Sequence, residues 1–339
     1  MVLEIEKLLY YKSISIIGTE KNTGKTECLN FVLQKLQNFN KTIAVTSIGV
    51  DGENVDIVTR THKPEIELFP DNIFITSETH FRQKKIDAEI LNISERQTSL
   101  GRLITARARS RGKAILSGPS NSAWLKEVLD SMNDYGVDLS IVDGAISRKS
   151  LAAPNITDAF ILNTGAAFSA NINTLIKSTK FLLDLINIAT CPEKLHNILS
   201  ELKNIGIYAV DEKRLSVIAL NVKSSFFFEE QKNDILKYKT LFVNGLITNK
   251  LIDFLRIQKD VKERNLIVSD FTKIFVSPEN FYAFKNVGGN IFSYYTPKLL
   301  AVCVNPTSPS GFSFNSDDLV KKMKTELNID VFDIKKNEI

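Results

Sequence analysis

Cysteine is scarce in this sequence. Its three cysteines, Cys28, Cys191 and Cys303, lie far apart in 339 residues and form no C-x-x-C pair. That spacing excludes a disulfide framework and a cysteine-based zinc site, and it fits a reducing compartment. Cys28 follows a glycine-rich loop and reads either as a reactive thiol or as a small buried residue. Histidine is equally sparse: His62, His80 and His196 show no ligand spacing and no triad, and no Gly-x-Ser-x-Gly elbow is present. Nucleophilic hydrolysis is therefore not indicated. No apolar run approaches the ~20 residues of a membrane span. The start, Met1 to Lys7, lacks the basic region, apolar stretch and cleavage site of a signal peptide. These absences lead to the expectation of a cytoplasmic protein with no membrane partner. An excess of one charge is missing as well, since 43 basic residues against 39 acidic ones leave a net +4. That balance gives no nucleic-acid footprint, so the 321–324 lysine run and Arg107, Arg109 and Arg111 read as solvated faces.

What remains is ordinary globular material, 43% hydrophobic and 24% charged. Short apolar runs alternate with helix-like segments, the pattern of an α/β fold with a mainly parallel sheet. The spacing predicts strands at 13–17, 42–48, 113–117, 139–142 and 159–162, edge strands near 65–69 and 73–76, and helices at 25–38, 100–110, 123–132 and 172–188. A change of texture near 188 predicts a boundary, with a nucleotide-binding domain over 1–188. Residues 189–339 are expected to form a second α/β domain or to extend the first sheet. There the pattern predicts a hairpin at 207–210 and 215–220, strands at 240–243, 266–268, 273–276 and 299–304, and helices at 250–256, 278–284 and 317–327.

The most informative stretch is Gly18-Thr19-Glu20-Lys21-Asn22-Thr23-Gly24-Lys25-Thr26, between a predicted buried strand and an amphipathic helix. Such a loop binds phosphate because its backbone N–H groups converge on the oxygens and the helix dipole adds to them. Lys25 is then expected on the β- and γ-phosphates and the Thr26 hydroxyl on Mg2+. Gly18, Thr19, Asn22, Thr23 and Gly24 form the cradle. This is the pattern of a P-loop that binds ATP or GTP with magnesium, in a form with Thr19 where the first glycine is expected and Gly18 displaced one position upstream. Leu139-Ser140-Ile141-Val142-Asp143-Gly144-Ala145 adds a strand ending in a carboxylate, so Asp143 is expected to hold Mg2+ and to act beside Lys25 in catalysis. An Asp-Gly turn after a strand is the structural alternative.

The Gly-Thr-x4-Gly-Lys-Thr form of the loop and the Asp143-Gly144-Ala145 motif resemble those of dethiobiotin synthetases, within the wider group of MinD/ParA partition ATPases, signal-recognition GTPases and metallochaperone NTPases. The resemblance implies a three-layer P-loop NTPase fold. It departs from these patterns in three places: Asp143 stands for the Glu of the synthetase motif, Ile146 stands where a glycine is expected, and Glu20 occupies the signature-lysine position of partition ATPases. Lysine-mediated dimerisation is therefore not implied.

Several weaker features lie at predicted strand ends. Asp51 and Glu53 read as metal-linked or switch acids, or as solvated loop. Lys63-Pro64 is similar to a substrate-binding Lys-Pro of the synthetases but lies some fifteen residues late. Arg148 and Lys149 follow Asp143, and Arg148 is the better candidate for gripping a phosphate or substrate oxyanion. Asn305-Pro306 is similar to the Asn that reads adenine late in the synthetase chain, although a plain turn before Ser308-Pro309-Ser310-Gly311 is the preferred reading.

The stretches Ser47 to Glu53, Leu116 to Ser120, Val142 to Arg148 and Val304-Asn305-Pro306 together resemble the small reactivase-type subunit of adenosylcobalamin-dependent lysine 5,6-aminomutase, found in amino-acid fermentation. That resemblance implies a nucleotide-driven conformational cycle that releases damaged cobalamin from a partner aminomutase, with a second reactivase subunit and slow ATPase activity. Two alternatives stand beside it: an ATP-dependent ligase or kinase of the dethiobiotin type, and a nucleotide-binding module that does not hydrolyse.

Overall fold

The computed structural model describes residues 4–48, 65–145, 156–202, 204–333 and 335–336. The chain divides into two compact units. One comprises Met1–Thr179 with Lys298–Ile339, and the other is Lys180–Pro297. This division differs from a single boundary near 188, because the last strands return to the first unit.

Among the described residues the first unit carries a nine-stranded sheet. Its order is Val331–Asp333, Lys298–Asn305, Ala159–Gly165, Ser13–Gly18, Leu139–Ala145, Ile43–Ser47, Ile73–Ser77, Gly101–Ala108 and Ala88–Thr98. The first seven pair in parallel and the last two antiparallel. Ser13–Gly18 and Ala159–Gly165 are buried at every position. Both faces of a parallel sheet are covered, so Ser13, Ser15, Asn163 and Thr164 are buried alongside their apolar neighbours. On one face Ile14, Ile16 and Val45 share a core with Leu29, Val32 and Leu33 of the helix Lys25–Leu36. On the other, Ala44, Ile73 and Ile75 meet Trp124 of the helix Ser122–Ser131. Each fully buried Ile or Leu contributes about 1.5–3 kcal/mol.

Three sequence expectations are corrected here. Residues 100–110, expected as a helix, form the strand Gly101–Ala108. Its Ala, Arg and Leu favour helix locally, but pairing to Ile73–Ser77 on one side and Ala88–Thr98 on the other overrides that preference. Ile73–Ser77 is therefore an interior strand rather than an edge. The strands Ala88–Thr98, Asn290–Ser293 and Val331–Asp333 were not expected at all.

The parallel strands end along one edge, with Gly18 in register with Ala145 on one side and Asn163 on the other. From Ser13–Gly18 the chain proceeds to Ile43–Ser47 on one side, while Ala159–Gly165 and Lys298–Asn305 lie on the other. A reversal of strand order of this kind opens a crevice at the C-terminal strand ends, where ligands bind in open α/β sheets.

The second unit has a five-stranded sheet in the order Ser216–Val222, Gly206–Asp211, Thr240–Asn244, Asn265–Val268 and Asn290–Ser293. Its first two strands form the expected antiparallel hairpin. Tyr208, Phe242, Ile267 and Tyr294 share its core with Cys191, Leu195 and Leu199. At its base Arg264, 3% exposed, donates from Nε and Nη2 to the two carboxylate oxygens of Asp260 at 2.8 and 2.9 Å. It also donates to the carbonyls of Tyr238 and Leu236, each at 3.0 Å. Among the described residues no helix is long and apolar enough to cross a membrane.

Candidate phosphate-binding site

Gly18 ends its strand, and the loop that follows closes on Lys25, the first residue of the helix Lys25–Leu36. Gly24 caps that helix with φ +91°, and Asn22 also has a positive φ of 61°. Both lie in the left-handed region that glycine and asparagine enter most easily. A Cβ on Gly18 would lie 2.4 Å from Thr23 Oγ1 and 3.0 Å from Lys25 Cγ, so the missing side chain makes room for those two residues. Thr23, 1% exposed, donates from Oγ1 to the Glu20 carbonyl at 2.9 Å. Lys25 Nζ donates to the same carbonyl at 3.1 Å.

The neighbouring strands hold this loop in place. Thr19 N–H donates to the Asn163 carbonyl at 2.8 Å, and Thr19 Oγ1 donates to Thr164 Oγ1 at 3.0 Å. Asn163, 1% exposed, donates from Nδ2 to the Ile17 carbonyl at 3.3 Å. Asn305 Nδ2 donates to the Asn22 carbonyl at 3.2 Å. Sequence reasoning missed Asn163, although a polar residue directly after the buried run Ala159 to Leu162 was a usable signal.

Burial pulls the Lys25 ammonium below its usual pKa, and the carboxylate of Asp143 opposes that shift. Asp143 sits on the strand beside Ser13–Gly18, in register with Ile16, and its charge acts on Lys25 from there. Thr26 is half-buried in the first turn of the helix. The structure thus brings Gly18, Thr19, Asn22, Thr23, Gly24, Lys25, Thr26, Asp143 and Asn305 to one sheet edge. Asp51, Glu53, Lys63, Arg148 and Lys149 lie outside the described residues. Among the described residues no group of three or more His, Cys, Asp or Glu is arranged to hold a metal ion by itself. A magnesium ion here would need phosphate oxygens to complete its shell, with Thr26 and Asp143 supplying hard oxygen donors of the right kind.

A second polar cluster lies farther along the same edge. His80, 1% exposed, approaches Ser117 Oγ with Nδ1 at 2.6 Å, and Ser117 in turn lies 3.5 Å from Ser77 Oγ. Gly118 is forced by packing: a Cβ there would sit 1.5 Å from the Ser47 carbonyl oxygen. Cys28 and Cys303 are both buried in the core beneath the loop, which favours the packing reading of Cys28. The Cys303 thiol is held well above its usual pKa by the adjacent Cys28 thiol and by burial.

Comparison of the chain with protein-family models, with curated proteins and with solved structures finds no match.

Proposed function

We propose that this protein binds a nucleoside triphosphate with Mg2+ through the loop Gly18 to Thr26. The observation that carries this reading is the state of Lys25. Its ammonium sits half-buried among loop backbone, with a proton affinity lowered by desolvation that the Asp143 charge only partly offsets. A bound polyphosphate supplies the missing counter-charge, and the glycines at 18 and 24 leave space for its approach. Thr26 and Asp143 hold the magnesium, which would screen the phosphate charge. Asp143 has a second effect, favouring the charged form of Lys25. The nucleotide is ATP or GTP.

The use of the nucleotide follows from the resemblances. The first reading is a reactivase subunit for a cobalamin-dependent aminomutase, in which γ-phosphate and magnesium bias a switch that relaxes after slow hydrolysis.

Titration calorimetry with Mg-ATP and Mg-GTP on the wild type and on Lys25→Ala tests the binding. The expected result is saturable binding by the wild type and a loss of at least tenfold in the variant. Equal affinities, or a wild type that binds neither nucleotide, would overturn it. Turnover assays then separate the uses: the switch requires slow hydrolysis that rises with the aminomutase, and turnover that instead depends on a small molecule replaces it with the ligase. Binding without turnover under either condition leaves the non-hydrolysing module.

A further inference from the structure

We infer that Asn305 is a positioning residue of the phosphate loop, holding the loop's backbone rather than reading a base. The inference rests on the nucleotide-binding reading above. Asn305 ends the strand Lys298–Asn305, two strands from Ser13–Gly18, with Ala159–Gly165 between them. Its side chain crosses that intervening strand and donates from Nδ2 to the Asn22 carbonyl.

The orientation of the amide is fixed by its partners. Thr307 N–H donates to Oδ1 at 3.1 Å, and an N–H can be met only by the oxygen end. The Asn22 carbonyl can be met only by the nitrogen end. Both ends of the amide are thus engaged by backbone, one of them in the loop itself. The Asn305 backbone is held as well, since its carbonyl accepts from Ala166 N–H at 2.9 Å.

Two glycines make room for this arrangement. A Cβ on Gly24 would lie 3.2 Å from Asn305 Cβ, and a Cβ on Gly165 would lie 2.0 Å from the Asn305 carbonyl oxygen. Asn305 is 9% exposed and is wedged between the loop and the end of the neighbouring strand. Asn22 has a positive φ and lies in a turn outside any helix or strand, and the Asn305 amide restrains its carbonyl. The Asn22 and Thr23 backbone then presents its N–H groups to the phosphates from a fixed frame.

A base reader and a loop brace differ in which ligands they affect. The probes are Mg-ATP, Mg-GTP and magnesium with inorganic tripolyphosphate, titrated against the wild type, Asn305→Leu and Asn305→Ala, with thermal melts as a folding control. Bracing predicts a loss of roughly three- to tenfold, the same for all three ligands because tripolyphosphate has no base. It also predicts three- to tenfold faster hydrogen exchange at amides 19–24 in the ligand-free variants, with the strand Leu139–Ala145 unchanged. Loss confined to one nucleotide with tripolyphosphate unaffected would make Asn305 a base reader and overturn the inference, as would unchanged exchange in the loop. If the wild type binds none of the three ligands the nucleotide reading falls, while the exchange measurement still decides whether Asn305 braces the loop. Should Asn305→Leu fail to fold, Asn305→Ala, which leaves space instead of a misfit, carries the same comparison.

Discussion

Lys25 Nζ donates to the carbonyl oxygen of Glu20 at 3.1 Å, five residues back along the chain, so the loop folds around its own lysine. The carbonyl accepts from Thr23 Oγ1 as well. A single peptide oxygen thereby organises the interior of the loop, and any ligand that draws Lys25 away must compensate that contact.

The buried ammonium gives a pH signature. Unfolded, Lys25 keeps its proton to about pH 10.4, whereas burial lowers that value in the folded protein. Between the two values the unfolded chain carries more protons, so stability rises with pH there, and the cost of burying the charge is fully present below the folded value. Lys25→Met is expected to be more stable than the wild type in urea at pH 7.5, with the difference shrinking at pH 10. A variant no more stable at pH 7.5 contradicts this. Asp143→Asn removes a charge that favours protonated Lys25 and should lower the lysine's pKa further, as read by NMR of its ε-methylene.

Gly118 offers a test of packing independent of any ligand. A Cβ placed 1.5 Å from the Ser47 carbonyl oxygen meets backbone on a central strand, which has nowhere to move. Gly118→Ala is expected to cost roughly 3 kcal/mol or more. Gly18→Ala is expected to cost less, because its neighbours are the side chains of Thr23 and Lys25, and to weaken nucleotide binding instead. Denaturant midpoints of the two variants check the order, and a Gly118→Ala protein as stable as the wild type would rule out the close approach.

In the second unit, Arg264→Met removes the guanidinium that satisfies the Asp260 carboxylate and the carbonyls of Leu236 and Tyr238. The Asp260 side chain is 38% exposed and regains water, so the loss is that of hydrogen bonds from a charged donor, about 1.5–3 kcal/mol. Arg264→Lys should recover only part of this, since an ammonium cannot reproduce the planar fork. Chemical unfolding of both variants gives the comparison, and equal midpoints for Arg264→Lys and the wild type would show that the fork geometry is unimportant.

All three cysteines are buried, and burial pushes the Cys191 thiol up to about 11. A thiol-specific reagent at pH 8 is expected to label none of them within the time that labels all three in denaturant. Rapid labelling of Cys28 in the native protein would restore the reactive reading of that residue.

The parallel core was legible because strands covered on both faces leave short stretches of small and apolar residues without charge, as at Ser13–Gly18 and Ala159–Gly165. The places of Lys25 at the start of a helix and of Asp143 on a strand were legible, because the glycine-rich loop and the apolar run before Asp143 mark those boundaries. The hairpin Ala88–Thr98 and Gly101–Ala108 was not. Its outer strand is largely exposed, with β-bulges that break the two-residue alternation, and its inner strand is made of good helix formers. Nor does local pattern disclose that Asn305 meets Asn22, because that contact depends on strand order rather than on nearby sequence.

The return of Lys298–Asn305 to the first sheet has a consequence for synthesis on the ribosome. When Ala159–Gly165 emerges, the strand destined to flank it does not yet exist, and the intervening residues 166–297, roughly 130 residues, must be translated first. At about 5–20 residues per second this takes about 7 to 26 seconds. For that interval the nascent chain presents an unpaired apolar edge, a natural binding site for a chaperone. The loop can acquire its Asn305 brace only after that wait has ended.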